Sequence, residues 1–210
     1  MIVRQLVIGT IMENTYILGS EDSGDCVIID PGGEAEKILE EVESLGLKVG
    51  MILNTHGHGD HVGGVTGIKN VTGATYGIHA EDQAMLKLDN SWIASIMPGY
   101  QTPPEPDMNV VHEQLLEVGS LSLKVIETPG HTLGGVCYYA EGLVFTGDTL
   151  FEGSIGRSDL PGGNGGLLIQ NIISRLMSLP TDTIVYPGHG PKTTVGREKL
   201  TNPFLLGNIL

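Results

Sequence analysis

The chain has 210 residues, 40% of them hydrophobic, and a formal net charge of −14. That length suits one compact domain over 1–210 with a layered core, and a mean hydropathy of +0.09 fits a globular protein. An acidic surface repels phosphate backbones and anionic lipid, so neither nucleic acid nor a membrane surface is an expected partner.

The first three expected strands are short and closely spaced. Residues 2–8 alternate in polarity, 14–19 pair with them as a hairpin, and 26–29 form the third strand of an antiparallel meander. The meander ends at Asp30-Pro31-Gly32-Gly33. Asp30 there either serves the turn or orients a metal-bound histidine by accepting from its other ring nitrogen. Ile38, Leu39, Val42 and Leu45 recur at three-to-four spacing, which predicts an amphipathic helix over 34–45 stopped by Gly46. A buried strand at 49–53 runs into Asn54-Thr55-His56-Gly57-His58-Gly59-Asp60-His61-Val62-Gly63-Gly64. Three histidines and an aspartate within six residues form a metal-ligand signature, because neutral imidazole and carboxylate oxygen are what zinc and similar ions take.

A helix is expected over 61–71, a strand over 74–78 and a short helix over 81–88. His79 and His112 are isolated and are assigned structural or surface roles. The stretch 91–109, with Trp92, Met97, Tyr100 and Pro-Pro-Glu-Pro at 103–106, is expected to be irregular. It would serve either as a lid or substrate wall, or as a loop anchored by Trp92 in a groove. Hairpins follow at 115–127 and 135–145, with an amphipathic helix over 167–179, a strand over 183–186 and a C-terminal helix near 196–200. The Gly-rich run 162–166 before a helix could cradle an anion or simply be a loop. Cys26 and Cys137 sit in apolar strand-like runs and are expected to be buried free thiols, which fits the cytoplasm. Residues 1–12 lack the order of a signal peptide, and no apolar run approaches the roughly 18 residues of a membrane helix.

Strand-like runs repeatedly end in Gly/Pro turns that carry Asp or His: Asp30, His56 to His61, His131, Asp148 and His189. This pattern suggests two antiparallel sheets packed together, helices outside, and a site where the strand-end loops converge. The candidate ligands are His56, His58, Asp60, His61, His131, Asp148 and His189. One tetrahedral zinc takes at most four ligands, so seven suit two divalent ions that share a carboxylate. Such ions, about 3.5–4 Å apart, can hold a bridging water and bring its pKa toward neutrality. No Gly-x-Ser-x-Gly elbow offers a serine nucleophile. Zinc is the first expectation for the metal, and the mixed ligand set also suits iron or manganese.

Thr55-His-Gly-His-Gly-Asp-His61, Pro129-Gly-His131, Thr146-Gly-Asp148 and Pro187-Gly-His-Gly190 resemble, in order and spacing, the metallo-β-lactamase superfamily, with Asp30 on its first motif. The resemblance implies an α+β fold, an αββα sandwich of two mixed sheets flanked by helices. It implies that His56, His58 and His131 bind a first ion, that Asp60, His61 and His189 bind a second, and that Asp148 bridges. Asp60 and Asp148 then carry the catalytic role by holding the ions whose hydroxide attacks.

Gly147-Asp-Thr-Leu-Phe151, Gly153-Ser-Ile-Gly-Arg-Ser-Asp159, the text following Gly188 and Asn202-Pro-Phe-Leu205 look like the short, single-domain glyoxalase II-like hydrolases. These cleave thioesters such as hydroxyacylglutathione. The extra C-terminal helical region of full-length glyoxalase II, which supplies basic residues for glutathione, has no counterpart here. Arg157, Lys192, Arg197 and Lys199 are the nearby cations, with Arg157 or Lys192 expected to take a substrate carboxylate. A persulfide dioxygenase with one iron on the equivalents of His56, His131 and Asp148 is the alternative from another reaction class, and a lactonase is a third. The Gly-Ser-Ile-Gly-Arg text leans toward the hydrolase. A β-lactamase, a flavodiiron reductase and a nuclease are disfavoured, the last by the charge of −14.

Overall fold

The computed structural model describes residues 1–88 and 91–207. In chain order the first half contains β1 (Ile2–Ile8), β2 (Glu13–Gly19), β3 (Asp25–Ile29), α1 (Ala35–Ser44), β4 (Lys48–Leu53), α2 (Gly59–Val62), α3 (Val65–Thr72), β5 (Thr75–His79), a 3-10 segment (Ala80–Lys87), α4 (Ser91–Ile96) and β6 (Met108–Val110). The second half contains β7 (Leu115–Val118), β8 (Leu121–Glu127), β9 (Val136–Ala140), β10 (Leu143–Gly147), β11 (Leu150–Phe151), β12 (Ser154–Ile155), α5 (Gly165–Asn171), β13 (Ile184–Pro187), β14 (Thr193–Thr194) and α6 (Val195–Thr201).

Two six-stranded sheets form, in the orders β1-β2-β3-β4-β5-β6 and β14-β13-β10-β9-β8-β7. Strand alternation decides the layers. In β2 and β3, Tyr16, Leu18, Val27 and Ile29 point into the space between the sheets, where they meet Leu123, Tyr138 and Phe145. Their neighbours Ile17, Cys26 and Ile28 point the other way, onto Ile38 and Val42 of α1 and Val65 and Ile68 of α3. On the second sheet Cys137, Val144 and Val185 pack outward against Leu168, Ile172 and Leu176. Both faces of each sheet are therefore buried, which is the αββα arrangement. Both cysteines are buried free thiols. No helix among the described residues is long and apolar enough to cross a membrane.

The sheets are mixed, as the motif resemblance implies, rather than antiparallel, as the strand pattern alone suggests. β3, β4, β5 and β6 run parallel, as do β10 and β13. Each parallel pair is joined by a stretch long enough for a crossover, most containing a helix, whereas tight hairpins force only the remaining pairs antiparallel. The helix expected over 61–71 divides into α2 and α3. Between them the Gly64 N–H donates to Pro31 O (2.7 Å) and the Gly63 carbonyl accepts from Gln101 N (2.8 Å), so the backbone there bonds outside the helix. A methyl group at Gly63 would meet the Tyr100 ring and the Gly32 carbonyl, and the chain can pass that closely only without a Cβ. The stretch 91–109 is not wholly irregular, since it holds α4 and β6. Trp92 is 67% exposed and does not anchor it; Met97, 1% exposed, packs against Gly9 and does.

Direction of the strands positions the site. β3 and β4 end on the same edge of the first sheet, and β8, β10 and β13 end together on one edge of the second. Cross-sheet bonds draw these edges together. Val136 N donates to Thr55 O (2.8 Å) and Asn14 N to Gly188 O (2.8 Å), while the Tyr138 hydroxyl donates to Asn54 O (2.7 Å).

Candidate metal centre

The loop after β4 carries His56 and His58, and α2 adds Asp60 and His61. The turns after β8, β10 and β13 add His131, Asp148 and His189. All seven converge. One group of ligand atoms comes from His56, His58 and His131, and a second from Asp60, His61 and His189. Asp148 lies between them. Its Oδ2 is 3.6 Å from His131 Nε2, and its Oδ1 is 3.5 Å from His61 Nε2 and 3.8 Å from His189 Nε2.

Asp30 organises the floor of the centre. Its φ of 50° is left-handed, a conformation that Asp tolerates better than most residues. Its Oδ1 accepts from Thr55 N (2.7 Å) and Asn54 Nδ2 (3.2 Å). Its Oδ2 accepts from the Thr55 hydroxyl (2.6 Å) and from His61 Nδ1 (3.1 Å). The Thr55 hydroxyl hydrogen points at Asp30, so at 3.0 Å its oxygen accepts from His56 Nδ1. That relay sets the His56 tautomer and leaves Nε2 as a bare lone pair. His131 is fixed the same way, with Nδ1 donating to Arg157 O (2.7 Å). Asp30 also falls in a group with His56 and His61, but both its oxygens are already occupied by donors, so it orients ligands rather than adding one.

The donor set fits divalent cations. His56 Nε2, His61 Nε2 and Asp148 Oδ1 are buried without any hydrogen-bond partner, and buried polar atoms are seldom left so. His131 Nε2 faces His58 Nδ1 at 2.9 Å, an approach of two nitrogens that needs a proton or a cation between them. Burial, reinforced by His61 and His131, holds His56 well below the usual imidazole range. Burial and His131 push His58 down to about 4. These two are neutral bases, as ligands must be. In the other group burial opposes charge on His61, but Asp60, Asp148 and Asp30 outweigh it and raise its pKa well above the ordinary value. The carboxylates there demand a positive partner, which is a proton in the bare protein and a metal in the loaded one.

Further residues hold this geometry and are not marked by any motif. Asp82, in the 3-10 segment, accepts from Gly57 N (3.0 Å), the Thr132 hydroxyl (2.7 Å) and Gly134 N (2.6 Å). It thereby ties the His56–His58 loop to the His131 loop. Asn14 holds the His189 turn through Nδ2 bonds to Pro187 O (2.9 Å) and Gly190 O (2.8 Å). Glu13 is fully buried, 3.8 Å from His61 Nδ1, and burial pushes its carboxyl well above the ordinary range. Glu13 begins a strand with the polar run Glu13-Asn14-Thr15, which carries no sequence sign that it is buried. His79 and His112 stay outside the centre, both close to Glu127. Arg157 is 61% exposed on its side chain and forks onto Asp159 with two 2.8 Å bonds, and Lys192 is exposed.

The model of the metallo-beta-lactamase superfamily matches residues 8–189. The chain belongs to that superfamily. It is 37% identical to "Hydroxyacylglutathione hydrolase GloC" of Haemophilus influenzae over 88% of this chain and 89% of that one. Among solved structures it is similar to the BLEG-1 B3 metallo-beta-lactamase (36% identity, TM-score 0.89, 97% of this chain and 99% of that one). It is also similar to ETHE1 from Myxococcus xanthus (31%, 0.85, 99% and 85%), and to TTHA1623 in a di-iron-bound form (36%, 0.83, 96% and 100%). The superfamily is one of metallo-hydrolases, and the His/Asp cluster of this chain is its divalent-metal site.

Gly156 tests how tightly the centre is packed. A methyl group there would overlap the Asp148 carbonyl oxygen and lie 3.2 Å from His131 Nδ1. Gly156→Ala is expected to displace the Asp148 turn and cut metal content by half or more, a loss within the about 10–100-fold in affinity that displaced supporting groups cost. Metal analysis of the folded variant after dialysis checks this.

Proposed function

We propose that the protein is a dinuclear metal-dependent thioesterase acting on hydroxyacylglutathione-like thioesters. The observation that carries this reading is the placing of Asp148, with one carboxylate oxygen toward each ligand group and Oδ1 otherwise unpartnered. His56, His58 and His131 would hold one ion, and Asp60, His61 and His189 the other, with Asp148 shared. Bound divalent ions would supply Lewis acidity, acidifying water and polarising a carbonyl oxygen.

The chain's own residues supply the rest. The relay from His56 through Thr55 to Asp30 keeps the lone pair of His56 aimed inward. Arg157 O does the same for His131. A thiol has a pKa of about 8.5, so a thiolate can leave without a general acid. The 37% identity to a hydroxyacylglutathione hydrolase supports the substrate class. Zinc is the metal proposed first, and the di-iron form of TTHA1623 supports iron equally.

A second reading, persulfide dioxygenation with one iron on His56, His131 and Asp148, draws on the convergence of those three residues. The Gly153-Ser-Ile-Gly-Arg157 text supports the first. Metal analysis of purified protein, paired with assays for hydroxyacylglutathione hydrolysis, β-lactam and lactone hydrolysis, and oxygen uptake with glutathione persulfide, tests both. Two ions with thioester hydrolysis are expected. One iron with oxygen uptake and no hydrolysis would overturn the proposal.

A further inference from the structure

We infer that a cleft beside His58 receives an uncharged, apolar arm of the substrate; this rests on the thioesterase reading above. The cleft has a volume of about 380 Å³ and opens from His58, which is less buried than the other two histidines of its group. Met85, Leu88, Leu133 and Leu160 line it. Leu88 and Leu133 are 60% and 58% exposed. Two large apolar side chains left uncovered in one cleft, next to a metal-ligand cluster, mark a surface that a ligand covers.

Charge narrows the ligand. Among the described residues no Lys or Arg lines the cleft. Asp82 spends its carboxylate on Gly57, Thr132 and Gly134, which among the described lining residues leaves Glu81 as the acid at the rim. The Arg157 guanidinium is already held by Asp159. A carboxylate in the cleft would meet Glu81 and no cation, whereas an alkyl or aryl group would cover the leucines. The glutathione carboxylates therefore do not lie here. An apolar arm can come from either side of a thioester, acyl or thiol, and the experiment separates the two.

Two substrate series are given to the metal-loaded protein. One is N-acetylcysteamine thioesters from acetyl to octanoyl, and the other is acetyl thioesters of alkanethiols of increasing length. In one series kcat/KM is expected to rise roughly fourfold per methylene, the equivalent of about 0.8 kcal/mol per buried CH2, until the cleft is full. A terminal carboxylate on the longer chain is expected to lower it about tenfold or more. Leu133→Asp and Leu88→Asp, both at exposed positions, are expected to flatten the slope. A profile flat or falling in both series, or a slope that survives both substitutions, overturns the proposal. Affinities of the matching non-hydrolysable thioethers are measured in parallel by calorimetry. If no thioester is cleaved, the hydrolase reading fails and these affinities decide the cleft. A rise with chain length in the wild type that disappears in the variants supports it, and a flat series overturns it.

Discussion

Asp148→Ala is expected to abolish hydrolysis and weaken metal binding in both ligand groups at once. Asp148 turns one carboxylate oxygen toward each group. Losing a shared ligand costs more than the about 10–100-fold in metal affinity that follows loss of a ligand's supporting partner. Turnover is expected to fall by about 10³-fold or more, because the charge stabilisation that metals supply is lost with them. The metal-free variant is expected to melt modestly below the metal-free wild type, since Asp148 Oδ1 makes no hydrogen bond to be broken but helps hold the proton on His61. Metal analysis, thioester turnover and melting of the chelated proteins check the three parts. Asp60→Ala then separates the two functional readings. It removes one ion and hydrolysis if the centre is dinuclear, and leaves a single iron and oxygen uptake intact if it is not.

Asp82→Ala is expected to lower stability by about 3–5 kcal/mol and to loosen the three-histidine group without touching any ligand. The substitution strands two backbone N–H groups and a buried hydroxyl, each costing about 1–3 kcal/mol when unsatisfied. The total lies below the sum of the maxima because burying the Asp82 carboxylate is itself unfavourable. That burial outweighs its three hydrogen bonds and raises its pKa above the ordinary carboxylate value. The folded state thus binds this proton more tightly than the unfolded one. Stability from Asp82 is retained at low pH and decreases as pH rises through its folded pKa. The melting gap between variant and wild type is therefore expected not to close between about pH 7 and about pH 5. Denaturant melts at several pH values, with metal stoichiometry of the folded variant, check both effects.

The two residues Asp148 and Asp82 show how differently a role can be written. Asp148 sits in a Thr-Gly-Asp turn after an apolar run, and it is recognisable as a ligand candidate from the chain alone. Asp82 stands among Glu81 and Gln83 in a stretch with no motif. Its partners lie 25, 50 and 52 residues away, so nothing local distinguishes it from a solvated acid. Thr55 is similar: its neighbours mark a metal site, but its relay from His56 to Asp30 exists only once β3 and β4 lie side by side. Trp92 fails in the opposite sense. An aromatic residue in a long loop suggests an anchor, yet flexible Met97 fills the gap at Gly9 and Trp92 stays outside.

By itself the sequence determined the chemistry of the ligands, the period-two runs that bury both sheet faces, and the habit of ending those runs in Asp- or His-bearing turns. These are local properties, set by spacing within a few residues. The motif resemblance implied mixed sheets, but tertiary structure alone decided which strands pair parallel and which strand ends share an edge. It also decided that Asp82 ties the His56–His58 loop to the His131 loop, and that a cleft walled by leucines opens beside His58. The reason is physical: crossover direction, register and cross-sheet hydrogen bonds join residues far apart in the chain, and their geometry emerges only when the whole core packs.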